Sequence, residues 1–120
     1  MKNELIVIKF GTASITKPNG EPDELIIKKI ALQVSELSKN HRIVIVSSGA
    51  VGAGKHFLGN YDGTISQRKA AAAIGNPILI KLYADYFAKH GITVAQSFCE
   101  RQHFANRQQF LQLKETYTAR

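Results

Sequence analysis

A stretch of small residues, Ser47 to Gly54, is the part of the chain best suited to chemistry on an anion. It follows the apolar run Arg42 to Ser47, which has the β-branched character of a buried strand. Small residues between a strand and a helix expose backbone N–H groups at the positive end of the helix dipole, a geometry that suits a carboxylate or a phosphate. Ser48 adds a hydroxyl that can donate or accept a hydrogen bond. The structural alternative is tight packing of the helix on the sheet, which also favours small residues.

A second candidate for anion binding follows the first apolar run, Leu5 to Phe10. Lys9 would bring a positive charge, and Gly11, followed by Thr12, would let the backbone approach an anion closely. Ligands of open parallel sheets bind at the carboxyl ends of the strands. We therefore expect this stretch and Ser47 to Gly54 to lie at the same edge of one sheet. The structural alternative is a surface lysine followed by a turn glycine.

Other chemistry is weakly supported. Gly49, Gly54 and Lys55 have the spacing of a P-loop, but His56 stands where a serine or threonine would ligate magnesium, so P-loop chemistry is not expected. The histidines lack the close spacing of a metal site, and no metal ligands are predicted. Cys99 is the only cysteine, which excludes an intramolecular disulfide, and it is interpreted as a buried thiol rather than a nucleophile.

Strand and helix patterns alternate, which predicts an α/β fold with a mainly parallel sheet and helices on its faces. The first strand is expected to be buried on both faces. Gly75-Asn76-Pro77 is expected to kink or split the longest helix, because proline removes a backbone donor. The predicted strands are Leu5 to Phe10, Arg42 to Ser47 and Ile92 to Phe98, and the predicted helices are Glu24 to Lys39, a short one reaching Leu58, one from the cap Thr64 to His90, and Phe104 to Ala119.

Length and composition restrict the function class. The chain has 120 residues, 44% of them hydrophobic, which suits a single folded domain and excludes a disordered tail. The net charge of +7 without a basic run, and an aromatic content of 8%, favour small anionic ligands over a dedicated nucleic-acid partner. The first apolar run is too short for a signal peptide or a membrane span, so a soluble cytoplasmic protein is expected.

The sequence resembles the amino-acid kinase family, and within it the branch that phosphorylates glutamate. Five segments carry the resemblance, occur in the family's order and cover the chain nearly end to end: Val7 to Thr12, Ile45 to Val51, Ala70 to Gly75, Gly91 to Gln96 and Phe104 to Arg107. The chain departs from the family pattern at Arg68-Lys69, where the family usually has Lys-Gln, and at Asn76, where it has glutamine.

The resemblance implies a three-layer α/β/α sandwich, here incomplete. It also implies a kinase that uses ATP with Mg²⁺ to convert L-glutamate to glutamyl 5-phosphate, the first step of proline biosynthesis. The Mg²⁺ would be bound mainly through the substrate and through the absent half of the domain. Lys9 would be the catalytic residue on the transferring phosphoryl group. The phosphoryl and ATP site would comprise Lys9, Gly11, Thr12 and Gly49, and the amino-acid site would comprise Ser48, Gly49 and Ala50.

Kinase domains of this family are longer than this chain. We therefore expect residues 1–120 to be the amino-terminal, substrate and phosphoryl half, without the nucleotide-binding half, and to have little activity alone. The full-length protein is expected to form a homo-oligomer. Two alternatives stay open. One is a truncated, non-catalytic chain that binds an anion or a partner, and the other is a kinase of this family with a different acceptor, such as carbamate, acetylglutamate or aspartate.

Overall fold

The computed structural model describes residues 4–100 and 107–115. Strands and helices alternate through most of the chain, as predicted. In chain order the elements are β1 (Glu4–Phe10), α1 (Thr12–Ile15), α2 (Glu24–Ser38), β2 (His41–Ser47), α3 (Ala50–Lys55), α4 (Ile65–Ala88), β3 (Ile92–Glu100) and β4 (Arg107–Glu115).

The four strands form one sheet in the order β1-β2-β4-β3. β1 and β2 are parallel, with Glu4 opposite His41 and Phe10 opposite Ser47. β4 is antiparallel to both β2 and β3, so the other three strands run in the same direction. This arrangement confirms the α/β class with a mainly parallel sheet.

The predicted helix over the last segment is wrong where the structure describes it, because Arg107–Glu115 is strand β4. Phe110 and Leu113 have a helical spacing, but Leu111 and Leu113 alternate and both belong to the core or pack against it. As a strand, the segment also pairs with β2 on one side and with β3 on the other. This pairing provides hydrogen-bond partners for the backbone groups of β2 and β3 that face it. The rest of that predicted helix lies outside the described residues.

The core lies between the sheet and helices α2 and α4. In α2 the buried residues Ile27, Ile30 and Val34 recur at helical spacing, and in α4 the fully buried Leu79, Tyr83 and Phe87 recur every fourth residue. These residues form one cluster with the buried side chains of the sheet, which are Ile43, Ile45, Ile92 and Leu111. The described residues thus contribute the sheet and one helical layer of the predicted sandwich.

Strand β1 is covered on one face only. Ile6 and Ile8 pack against the core, whereas Leu5 and Val7 are 53% and 59% exposed. Because neighbouring residues of a strand point to opposite faces, the helices cover only the face that carries Ile6 and Ile8. The expectation that β1 is buried on both faces is therefore wrong for the described structure.

Helix α4 runs without interruption through Pro77. The side chain of Thr64 caps it by accepting a hydrogen bond from the Gln67 backbone at 3.4 Å, as the sequence predicted. The predicted split at Gly75-Asn76-Pro77 does not occur. Pro77 is exposed, while Gly75 and Asn76 are buried against neighbouring elements, so tertiary packing holds the helix together at the lost backbone hydrogen bond.

Candidate functional site

Strands β1 and β2 end side by side at one edge of the sheet. Phe10 lies opposite Ser47, and the Ser48 backbone N–H donates a hydrogen bond of 3.0 Å to the Phe10 carbonyl. This bond ties the start of the Ser48–Ala50 turn to the end of β1. The two stretches that we expected at one edge do lie together there, which is the edge where parallel sheets bind ligands. The roles of their residues stay predictions.

Gly49 forms the turn that connects β2 to α3. It has a φ of 106°, in the left-handed region, and it caps the first turn of α3. A Cβ atom on Gly49 would lie 3.0 Å from Cδ1 of Ile15, so a side chain would be strained and crowded there. The turn therefore requires glycine, and it fixes the direction in which α3 leaves the sheet.

A buried hydrogen-bond chain lies behind this turn. The hydroxyl groups of Ser47 and Tyr83 are 3.0 Å apart, and the Ser47 hydroxyl donates to the Ser48 carbonyl at 3.1 Å. Burial raises the pKa of Tyr83 above its ordinary value, while the hydrogen bond with Ser47 opposes this shift. The chain links α4 to the peptide that begins the turn. Sequence reasoning missed it, because Tyr83 has the position of an ordinary core residue.

A cavity of about 800 Å³ opens beside the turn. Of the predicted site residues, Thr12, Ser48, Gly49 and Ala50 line it, and Lys9 and Gly11 do not. None of the lining residues is acidic, and several are basic or can donate a hydrogen bond. The additional polar side chains on its wall are Thr16, Lys17, Lys55, Tyr61 and Arg68. The cavity therefore suits an anion.

Lys9 lies at the same edge but outside this cavity. Its neighbours Ile8 and Phe10 pack against the core, so the exposed Lys9 side chain leaves the sheet on the opposite face. Gly11 precedes α1 with a φ of −75°, an ordinary extended conformation, and a Cβ atom there would meet nothing within 4 Å. The structure thus gives no backbone requirement for glycine at position 11.

A tight loop places Lys17 on the cavity wall. Thr16 and Pro22 form a β-bridge, and inside it the Lys17 N–H donates to the Glu21 carbonyl at 2.8 Å. Gly20 has a φ of 91°, and its carbonyl would lie 2.6 Å from a Cβ atom on Gly52. The absence of a side chain at Gly52 therefore lets the loop lie directly against α3.

The P-loop spacing has no structural counterpart. Gly54 lies inside α3, and a Cβ atom there would be 2.8 Å from the backbone nitrogen of Gly75 in α4. Its role is close helix packing, and His56 is exposed at the end of α3. Cys99 pairs with Gln108 in the sheet.

Within residues 4–100 and 107–115, no group of three or more histidine, cysteine, aspartate or glutamate side chains could hold a metal ion. No helix in that part of the chain is long and apolar enough to cross a membrane.

Comparison with known proteins decides the family. Residues 4–119 match the model of the amino acid kinase family. The chain belongs to this family. It is 40% identical to a glutamate 5-kinase of Methanosarcina barkeri, covering 92% of this chain and 32% of that protein. It is 39% identical to a glutamate 5-kinase of Citrifermentans bemidjiense, covering 96% and 32%. A glutamate 5-kinase 1 of Bacillus licheniformis is also 39% identical, with 92% and 31% covered.

Membership of the amino acid kinase family agrees with the observed α/β architecture and supports a kinase in the family sense. The chain spans about a third of the length of the curated relatives that it matches.

Proposed function

We propose that this chain provides the acceptor and phosphoryl-transfer part of a glutamate 5-kinase. In the proposed reaction, ATP phosphorylates the γ-carboxylate of L-glutamate to give glutamyl 5-phosphate, a step that would begin proline biosynthesis. The observation that carries the proposal is the cavity at the carboxyl edge of the sheet, lined by the Ser48–Ala50 turn and by basic side chains without an acidic one. The similarity to glutamate 5-kinases supports it.

The reaction demands little covalent chemistry from the protein. A γ-carboxylate is already an anionic nucleophile and needs no general base. Its oxygen attacks the γ-phosphorus of ATP, the bond from that phosphorus to the bridging oxygen breaks, and ADP leaves. Catalysis then consists of holding two anions in line and offsetting their repulsion. Basic side chains and backbone N–H groups at the strand ends supply this stabilisation.

We assign two separate roles at this edge. Ser48, Gly49 and Ala50 line the cavity and would hold the acceptor carboxylate. Lys9 lies at the same sheet edge but outside the cavity, so its proposed contact with the transferring phosphoryl group requires that group to lie over the ends of β1 and β2. The backbone of Gly11, Thr12 and Gly49 would complete the phosphoryl site.

The nucleotide would arrive as its Mg²⁺ complex. Since the described residues contain no cluster of metal-ligating side chains, we assign no Mg²⁺ ligand within them.

Trapping of the acyl phosphate tests the proposal. The protein translated from the complete gene is incubated with ATP, hydroxylamine and one of three acceptors: L-glutamate, L-aspartate or N-acetyl-L-glutamate. We expect hydroxamate to form with L-glutamate and not with the other two. Hydroxamate formed only with aspartate or acetylglutamate would assign the protein to another branch of the family. No hydroxamate with any acceptor would reject the kinase proposal.

A second candidate function is anion binding without catalysis. One observation favours it. The described residues form the cavity and its basic wall by themselves, although the chain spans only about a third of the length of its relatives. Anion binding by the 120-residue chain, combined with no hydroxamate from the complete protein, would support this candidate.

A further inference from the structure

We propose that Lys17 and Lys55 form a subsite for a second carboxylate of the acceptor, so that the cavity selects dicarboxylates. The proposal rests on the proposed function, since it extends the acceptor site described above. It adds two specificity-determining side chains that the sequence analysis did not assign to substrate binding.

Lys55 ends α3, its side chain is half-buried, and it passes over Gly20. A Cβ atom on Gly20 would lie 2.9 Å from Cε and 3.3 Å from Nζ of Lys55. The ammonium group is therefore held against the Thr16–Pro22 loop, on the wall of the cavity that this loop forms together with α3.

Lys17 lies in the same loop, whose backbone is fixed by the Thr16–Pro22 bridge and by the contact between Gly20 and Gly52. Within the part of the chain that the structure describes, neither Lys17 nor Lys55 forms an ion pair with a carboxylate, in contrast to Lys39, which pairs with Glu36, and Lys81, which pairs with Asp85. Two positive charges without a counter-ion on one wall create an attractive potential for an anion.

The Ser48–Ala50 turn lies at the start of α3, whereas Lys55 ends this helix. The turn lines the same cavity and would hold the carboxylate that is phosphorylated. A ligand that contacts both the turn and the lysines needs two anionic ends. The lining residues include no acidic side chain that could pair with an ammonium group. We therefore infer that this part of the site recognises the two carboxylates, and that the amino group of an amino-acid acceptor adds nothing to binding here.

Binding to the 120-residue chain tests this inference with three probes, measured by titration calorimetry. Glutarate has two carboxylates and no amino group, 4-aminobutyrate has one carboxylate and an amino group, and inorganic phosphate has neither. We expect glutarate to bind about tenfold more tightly than 4-aminobutyrate, the size expected for a hydrogen bond to a charged group. Similar affinities for the two would overturn the proposal. Tighter binding of phosphate than of glutarate would also overturn it, because the lysines would then belong to the phosphoryl donor.

Substitutions of the two lysines test whether these side chains bind the second carboxylate. Lys55→Gln and Lys17→Gln should each weaken glutarate binding by about tenfold and bring it near that of 4-aminobutyrate. Lys29→Gln is the matched control, because Lys29 is exposed on α2 and does not line the cavity. Thermal unfolding monitors the fold of each variant, and the exposed Lys17 provides a second test should Lys55→Gln be unstable. Unchanged glutarate binding in folded Lys17→Gln, or in folded Lys55→Gln, overturns the assignment.

The result is separable from that of the hydroxylamine assay. If the complete protein forms glutamyl hydroxamate but both lysine variants bind glutarate normally, the subsite fails and the kinase proposal stands. If the chain binds glutarate through the lysines but no hydroxamate forms, the subsite stands and the kinase proposal fails.

Discussion

Lys9 has the main catalytic role in the proposed phosphoryl transfer. An exposed side chain at the end of β1 contributes little to packing, so Lys9→Ala should leave the fold intact. In the complete protein we expect kcat to fall on the order of 10²–10³-fold, because the lost charge would stabilise the transferring phosphoryl group. The hydroxamate assay measures kcat, and Lys29→Ala on the exposed surface of α2 serves as the control. A Lys9→Ala protein with kcat close to the unmodified value would remove Lys9 from the phosphoryl site.

Tyr83 connects the core to the turn through Ser47, and its contribution should depend on pH. At neutral pH, Tyr83→Phe should lower the free energy of unfolding by about 1 kcal/mol, the typical value of one buried hydrogen bond. Burial raises the pKa of Tyr83 in the folded chain above 10.0, so the unfolded chain loses this proton first as the pH rises. The stability provided by the protonated hydroxyl is therefore fully present below pH 10 and decreases above it.

Urea denaturation at neutral pH and at about pH 10.5 checks this, since an ordinary tyrosine ionises near pH 10. The difference in the free energy of unfolding between the unmodified chain and Tyr83→Phe should be smaller at the higher pH. A constant or widening difference contradicts the prediction.

The positions of site residues could be predicted where they depend on the local sequence pattern. The Ser48–Ala50 turn follows a strand and consists of small residues, so its position at the sheet edge could be predicted. Lys17 could not be assigned to the same cavity, because its position depends on the contact of Gly20 with Gly52, which are distant in sequence. Lys55 attracted attention only through the P-loop spacing, and the structure places it at the end of α3, on the cavity wall.

Elements were predictable where a single periodicity dominated. Helix α2 and strand β2 have clear helical and β-branched patterns, and their observed bounds agree with the predicted ones to within about a residue. The segment that forms β4 fits both periods, and pairing with β2 and β3 decided in favour of a strand. Such pairing is a tertiary effect that the sequence of the segment alone does not contain.

The close crossing of α3 and α4 depends on the lack of side chains at two glycines, Gly54 and Gly75. A Cβ atom on Gly75 would lie 2.9 Å from the Gly54 backbone nitrogen, and one on Gly54 would lie 2.8 Å from the Gly75 nitrogen. We expect Gly75→Ala to lower the free energy of unfolding by about 1–3 kcal/mol, because the helices must separate. A shift of α3 would also move Lys55 and weaken glutarate binding.

Gly59→Ala provides the matched control for this prediction. A Cβ atom on Gly59 meets nothing within 4 Å, and its φ is not positive. Its effect should stay within about 0.5 kcal/mol. Urea denaturation of the 120-residue chain measures both variants. Equal effects of the two substitutions would show that the helix crossing tolerates a methyl group.

At the scale of the whole molecule, charge and topology act together. The α/β class and the position of the site at the carboxyl edge of the strands were predictable, because they are general properties of alternating strands and helices. From the sequence, only a diffuse net charge of +7 could be predicted, and not a basic cavity. Part of that charge becomes concentrated on one cavity wall because the Thr16–Pro22 loop folds against α3.

This concentration predicts a specific dependence on salt. Electrostatic attraction is screened over about 10 Å at 0.1 M ionic strength and about 3 Å at 1 M. Glutarate affinity of the 120-residue chain should therefore fall several-fold between these two concentrations, as measured by calorimetry. Lys29→Gln lowers the net charge without changing the cavity and should keep the same dependence, whereas Lys55→Gln should flatten it. A dependence that responds equally to both substitutions would mean that overall charge attracts the ligand, rather than the lysines at the cavity wall.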